Sequence, residues 1–223
     1  MVDYPIKYIR FLRDGHKFIY KHFRSLGANL RLESLYNNLV DKFEGIDTAG
    51  YISYSELGIN NQKIGYRYGP GGWGDLAMAL GKKVCVDDVF IDFGSGKGRM
   101  VYLAARYYPF KKVIGVEITE KLNDIAKKNI ENNSHKLQCK NVQLITADVS
   151  NYAIPDEVTI VYMFDPFDGA VFVRLINNLR VSLNRYPREI TIIYRRPQMD
   201  DYLIENGFEV TLKLDYLSVY KNL

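Results

Sequence analysis

The sequence predicts an α/β fold: a mostly parallel sheet with helices on both faces, closed by an antiparallel hairpin and preceded by a helical extension. Three observations carry this. From residue 88 onward, near-continuous apolar segments alternate with helical ones, as strands buried on both faces require. A glycine turn, Gly94-Ser95-Gly96-Lys97-Gly98, follows the first of those strands and opens the first of those helices. The last two segments, 208–213 and 216–221, alternate apolar and polar side chains. They lie too close together for a crossover helix, so they pair antiparallel at or near a sheet edge.

Three segments are expected: a helical cap over 1–45, a glycine- and aromatic-rich loop with a lead-in helix over 46–82, and the sheet domain over 83–223. In residues 4–24, Ile6, Ile9, Phe11, Leu12, Phe18, Ile19 and Phe23 recur at mixed three- and four-residue spacing, which reads as an amphipathic helix. A second helix fits 30–43, with Leu30, Leu32, Leu35, Leu39, Val40 and Phe43 as its apolar set and Gly45 as its stop. Residues 45–75 are irregular and hold Tyr66, Tyr68 and the only tryptophan, Trp73, among eight glycines. Flat aromatics beside flexible backbone suit a flap over a planar ligand, which makes these three candidate substrate-binding residues. A second reading has them packing the cap onto the core.

A short helix over 74–81 leads into strand one at 88–92 and a helix over 97–107 that ends before Pro109. Strand two is 112–117. The next helix runs from Thr119, a candidate N-cap, to about Asn132. Strand three is 142–147 and strand four is 159–164. A helix follows over 169–184, then strand five at 189–194 and a short helix over 198–206.

The 223 residues, 47% apolar and 25% charged, suit one soluble globular core. With a net charge of +4 and no separate basic recognition module visible, a protein or small-molecule acceptor is expected ahead of a nucleic acid. Cys85 and Cys139 are too few for a disulfide framework and read as reduced thiols in or near the core. The three histidines are scattered, and no metal site is expected. Charges interrupt the apolar N-terminal residues, and no apolar run reaches the roughly 18 residues a membrane helix needs. The expectation is therefore a cytoplasmic protein with no membrane partner.

The candidate chemistry lies at the C-terminal ends of the strands, where open parallel sheets bind ligands. Asp92 precedes the glycine turn, Glu117 ends strand two, and Asp148 follows strand three. The Gly94-x-Gly96-x-Gly98 spacing departs from the G-x-G-x-x-G of dinucleotide sites, which would place glycine at Arg99. No phosphate-loop motif is present. Asp165-Pro166-Phe167 follows strand four, either as a functional turn or as an ordinary Asp-Pro turn. Arg195, Arg196 and Pro197 follow strand five, where they either meet an anionic group or are simply solvated.

These residues, namely Asp92-Phe93-Gly94-Ser95-Gly96-Lys97-Gly98, Glu117, Asp148 and Asp165-Pro166-Phe167, resemble the class I S-adenosylmethionine-dependent methyltransferase family. The resemblance covers roughly residues 85–221, including the terminal hairpin that nicotinamide-binding domains lack. The turn is similar to that of a bacterial methyltransferase subgroup and, more distantly, of the Dot1-like and ATP-synthase c-subunit lysine methyltransferases. The resemblance implies a Rossmann-like seven-stranded sheet in the order 3-2-1-4-5-7-6, with strand 7 antiparallel. It implies S-adenosylmethionine as cofactor, held by Asp92, Gly94, Ser95, Gly96, Gly98, Glu117, Ile118, Asp148 and Val149. Glu117 would bind the ribose, Asp148 and Val149 would face the adenine, and the glycine turn would accommodate the amino-acid portion. Asp165, Pro166 and Phe167 would form the catalytic turn, since they are similar to the [DN]-P-P-[YFW] motif of amino-group methyltransferases. The acceptor implied is an amino nitrogen of a protein lysine or a small molecule. The alternatives are a nucleic-acid methyltransferase, a catalytically silent cofactor- or partner-binding relative, and a nicotinamide-dependent oxidoreductase.

Overall fold

The computed structural model describes residues 30–53, 55–58, 67–81, 84–164 and 169–222. The helix expected over 4–24, Tyr66 and the Asp165-Pro166-Phe167 turn lie outside the described residues. Helix α1 spans Leu30–Glu44. Two short strands, β1 (Ile52–Ser53) and β2 (Arg67–Tyr68), pair antiparallel within the irregular region, with Ile52 opposite Tyr68 and Ser53 opposite Arg67. Helix α2 (Asp75–Ala79) follows. The alternating region comprises β3 (Val89–Phe93), α3 (Arg99–Tyr107), β4 (Lys112–Glu117), α4 (Glu120–Asn132), β5 (Val142–Thr146), β6 (Ile160–Phe164), α5 (Gly169–Arg185), β7 (Thr191–Arg195) and α6 (Asp200–Glu205). Strands β8 (Phe208–Leu214) and β9 (Leu217–Asn222) close the chain.

The main sheet has seven strands in the order β5-β4-β3-β6-β7-β9-β8. Counted within this sheet the order is 3-2-1-4-5-7-6, and its seventh strand, β9, runs antiparallel to both neighbours. The expected Rossmann-like methyltransferase sheet is therefore present, hairpin included. Its β3–β6 register sets Asp92 beside Tyr162, and its β3–β4 register sets Phe93 beside Val116.

The strands read as continuous apolar runs because each feeds two cores. In β3, Phe90 joins Tyr102, Val113, Tyr162 and Ile193 beneath α1, α2 and α3. Its neighbours Val89, Ile91 and Phe93 face the opposite way and pack with Val161, Met163 and the α5 residues Phe172, Leu175, Ile176 and Leu179. Val40 of α1, Ile46, Trp73 and Leu76 belong to the first of these cores, so residues from all three expected segments share it.

Three expectations need correction. The inward face of α1 is not its leucine stripe: Leu35, Leu39 and Phe43 are 54%, 59% and 74% exposed. The inward positions carry Asn37, Val40, Asp41 and Glu44, because the adjoining face offers hydrogen-bonding partners. Arg99 reaches Asn37 and Asp41, and Tyr102 and Tyr107 reach Glu44. Thr119 does stand at the N-cap of α4, but its hydroxyl donates to Glu117 rather than capping the helix. Cys85 is exposed, whereas Cys139 is buried as expected.

Candidate active site

The glycine turn is shaped by three residues of positive φ, the first of them Gly94 at +75°. Gly96 has φ +53° and Gly98, at the N-cap of α3, has φ +80°. An added Cβ at Gly96 would lie 2.4 Å from the Tyr68 ring, and one at Gly98 would lie 2.8 Å from the Ala126 Cβ. Both positions therefore lack the conformational freedom and the space for any other residue. Gly94 is exposed on the same turn, with its amide donating to Val116.

Glu117 ties this turn to β4. One carboxylate oxygen accepts from the Gly96 amide at 2.9 Å, and the other accepts from the Thr119 amide and hydroxyl at 2.9 and 2.6 Å. Three of its roughly four lone-pair sites are thus engaged, which leaves one directed outward. Asp92 is 3% exposed at the end of β3. Burial, reinforced by the charge of Glu117, holds its carboxyl well above the usual carboxylate range. The Ser95 hydroxyl is buried with no hydrogen-bond partner among the described residues.

A cavity opens over this turn. It is lined by Asp92, Gly94, Ser95, Glu117 and Leu122. Tyr162 and Phe164 of β6, Arg196, Tyr68 and Gly69, Pro70 and Gly71 line it as well, with Tyr162 directly beside Asp92 in the sheet. Tyr51 and Arg67 stand at the rim contributed by β1 and β2. Asp92, Gly94, Ser95 and Glu117 are therefore brought together, and Tyr68 is placed against them with its hydroxyl donating to the Thr48 carbonyl at 2.6 Å.

Other expected site residues lie elsewhere. Trp73 is 1% exposed and packs in the core with the Arg99 guanidinium 4.5 Å above its ring, so a flap role for it is wrong. Its indole is the right size to fill the space between cap and sheet. Asp148 is exposed, and its side chain accepts from the Ser150 amide at 2.8 Å, capping a short turn. Neither Asp148, half-buried Ile118 nor buried Val149 lines this cavity. Arg195 is not solvated: it is 3% exposed and pairs with Asp75 at 2.6 Å.

Sequence reading passed over a polar network that supports the cavity floor. Asp75 is fully buried and accepts from Arg195, from the Tyr162 hydroxyl at 2.7 Å and from the Gly72 amide at 2.9 Å. Arg99 donates to Thr48, Asn37, Asp41 and the Gly71 carbonyl. The signal for Arg99 was its place at the end of the glycine motif; for Asp75 and Tyr162 no local pattern existed, since their partners are 87 and 120 residues away. Among the described residues no group of acids, histidines or cysteines is arranged to hold a metal ion. No helix among them is long and apolar enough to cross a membrane.

Comparison with known proteins places this geometry in context. The sequence profile of histone methylation protein DOT1 matches residues 77–160, which include Asp92, Gly94, Ser95 and Glu117 of the cavity lining. A protein-lysine N-methyltransferase of Saccharolobus islandicus (strain REY15A) is 36% identical over 84 residues, 37% of this chain and 48% of that protein. The match thus spans about half the length of that curated relative. Among solved structures, an RNA methyltransferase from Salinibacter ruber in complex with S-adenosyl-L-homocysteine superposes with a TM-score of 0.50 at 24% identity, covering 66% of this chain and 86% of that one. The ribosomal protein L11 methylase of Lactobacillus delbrueckii subsp. bulgaricus gives 0.52 at 15% identity, covering 67% and 76%. At these identities the structural likeness speaks for the fold.

Proposed function

Starting from the class I S-adenosylmethionine-dependent methyltransferase fold that this chain has, we propose that it transfers a methyl group from S-adenosylmethionine to an amino nitrogen, most simply a protein lysine. The observation that carries the donor half is the buried acid pair, Asp92 and Glu117, facing a glycine turn with an orphaned Ser95 hydroxyl. Burial and the neighbouring acid hold the Asp92 carboxyl toward its neutral form, and a cation bound beside the pair would restore its charge, so the pair favours a cationic ligand. S-adenosylmethionine is such a ligand, with an ammonium and a sulfonium, and it supplies an activated methyl group. The remaining acceptor site on Glu117 suits a hydroxyl donor such as a ribose.

The lysine assignment follows the match to a protein-lysine methyltransferase, and Asp165-Pro166-Phe167 follows in sequence on Phe164, the last residue of β6, which lines the cavity. In this reading Asp165 and a backbone carbonyl accept hydrogen bonds from the target nitrogen, and Phe167 packs on the substrate. Such a site works by orientation more than by acid–base chemistry, so the absence of a catalytic histidine is no obstacle. The decisive test incubates the full chain and a cell extract with methyl-labelled cofactor and identifies the labelled fraction. Label in protein lysine supports the proposal, and label confined to nucleic acid overturns it.

A further inference from the structure

Arg67, Arg99 and Arg196 line the cavity and Arg195 adjoins Arg196 in the chain, and the structure treats the four differently. Arg99 and Arg195 are buried and paired with acids of this chain, Asp41 and Asp75. Arg67 and Arg196 are exposed at the cavity lining, and among the described residues neither meets a carboxylate. Aromatic rings hold them instead. The Arg67 guanidinium lies 4.4 Å from the Tyr51 ring centroid, and that of Arg196 lies 5.5 Å from the Phe164 ring centroid. Stacking orders a guanidinium while leaving its N–H edge free for a planar anion.

Their backbones are fixed as well. Arg67 sits in the β1–β2 ribbon, and its neighbour Gly69 is pressed against Tyr51 so closely that a Cβ would come within 2.9 Å of the ring. Arg196 is the only non-glycine among the described residues with positive φ, at +50°, and its amide donates to the Tyr216 carbonyl at 2.8 Å. A bulky residue held in that conformation at a cavity mouth is the kind of local strain that surrounding structure maintains at ligand clamps.

We propose that Arg67 and Arg196 form a carboxylate-reading clamp at the acceptor mouth, so that the preferred substrate is a lysine flanked by acidic residues in a protein segment. This rests on the amino-transfer reading above, but concerns which lysines are chosen. A basic acceptor segment would meet two unneutralised guanidinium groups. An acidic one would gain two-point hydrogen bonds from each arginine. Two separated, ring-stacked arginines suit discrete carboxylates better than the extended basic groove that tracks a nucleic-acid backbone.

The test uses the full chain and three peptides of equal length, each with a central lysine flanked by glutamates, by alanines or by arginines. Methyl incorporation from labelled S-adenosylmethionine is measured for each. Binding of the same peptides is measured separately by fluorescence anisotropy with S-adenosylhomocysteine present. The glutamate peptide is expected to bind and react about 10-fold better than the alanine peptide. Arg67→Ala and Arg196→Ala each remove that preference, and Arg196→Glu turns it toward the arginine peptide. Calorimetric affinity for S-adenosylhomocysteine, unchanged in these variants, shows that they fold and that the clamp is not part of the donor site. Equal binding of the three peptides overturns the proposal, as does loss of S-adenosylhomocysteine affinity in the arginine variants. A single-stranded RNA that outcompetes the glutamate peptide overturns the assignment to protein. If the glutamate peptide binds in an arginine-dependent way but takes no label, the clamp stands and the lysine-transfer reading fails.

Discussion

Asp92 and Glu117 both line the cavity, and their closeness has a thermodynamic sign. Burial and the Glu117 charge raise the Asp92 carboxyl above its ordinary 3.8, so its contribution to stability is present below that value and is lost as pH rises through the raised one. Asp92→Asn is therefore expected to raise the melting temperature at pH 7 by about 2–4 °C, with the gain vanishing near pH 4, as thermal scans across pH would show. The same change should weaken S-adenosylmethionine binding by about 10- to 100-fold in calorimetry, because a charge-assisted contact is lost. Gly96→Ala should damage both properties, because it places a Cβ against Tyr68 at a positive φ. A stability loss of about 1–3 kcal/mol in denaturant titration is expected, with loss of donor binding. Asp165→Ala should leave donor affinity near wild type and suppress transfer; equal loss of both would remove Asp165 from the acceptor role.

At the scale of elements, helix α1 shows where sequence periodicity misleads. The leucine stripe at 35 and 39 is the more obvious face, yet the buried face is the one that carries Asn37, Asp41 and Glu44. A hydrophobic count could not see this, because the compensating partners, Arg99, Tyr102 and Tyr107, lie 58 to 63 residues ahead. By contrast, the strands and the helices of the alternating region fell within a few residues of their expected limits, because the strands are apolar runs and α3, α5 and α6 have a glycine or proline near a boundary. The glycine turn was equally legible, since its conformation is dictated within seven residues. The rest of the cavity lining was not, since Tyr51, Arg67, Tyr162 and Phe164 meet only in three dimensions. The cap's polar face gives a prediction of its own. Asp41→Ala strands the Arg99 guanidinium and the amides of Thr48 and Ala49, which Asp41 now accepts from. A loss of about 3–5 kcal/mol is expected by denaturant unfolding. Replacing Arg99 together with Asp41 by apolar residues should cost less than their summed single changes, which a double-mutant cycle measures.

Across the whole molecule, one core reaches from Val40 through Trp73 and Leu76 to the sheet, and the Asp75–Arg195 pair ties α2 to β7. We therefore expect a chain beginning at residue 83 to lose cooperative unfolding in calorimetry. The sheet order carries another consequence. β9 lies between β7 and β8, although it follows both in the chain. During synthesis β7 is made first and must wait, with its edge hydrogen bonds open, until Leu217–Asn222 leaves the ribosome. Until then β8 has no strand to pair with in the sheet. Nascent chains stalled before residue 217 should thus present a sticky edge to chaperones, and chains released just beyond residue 222 should not.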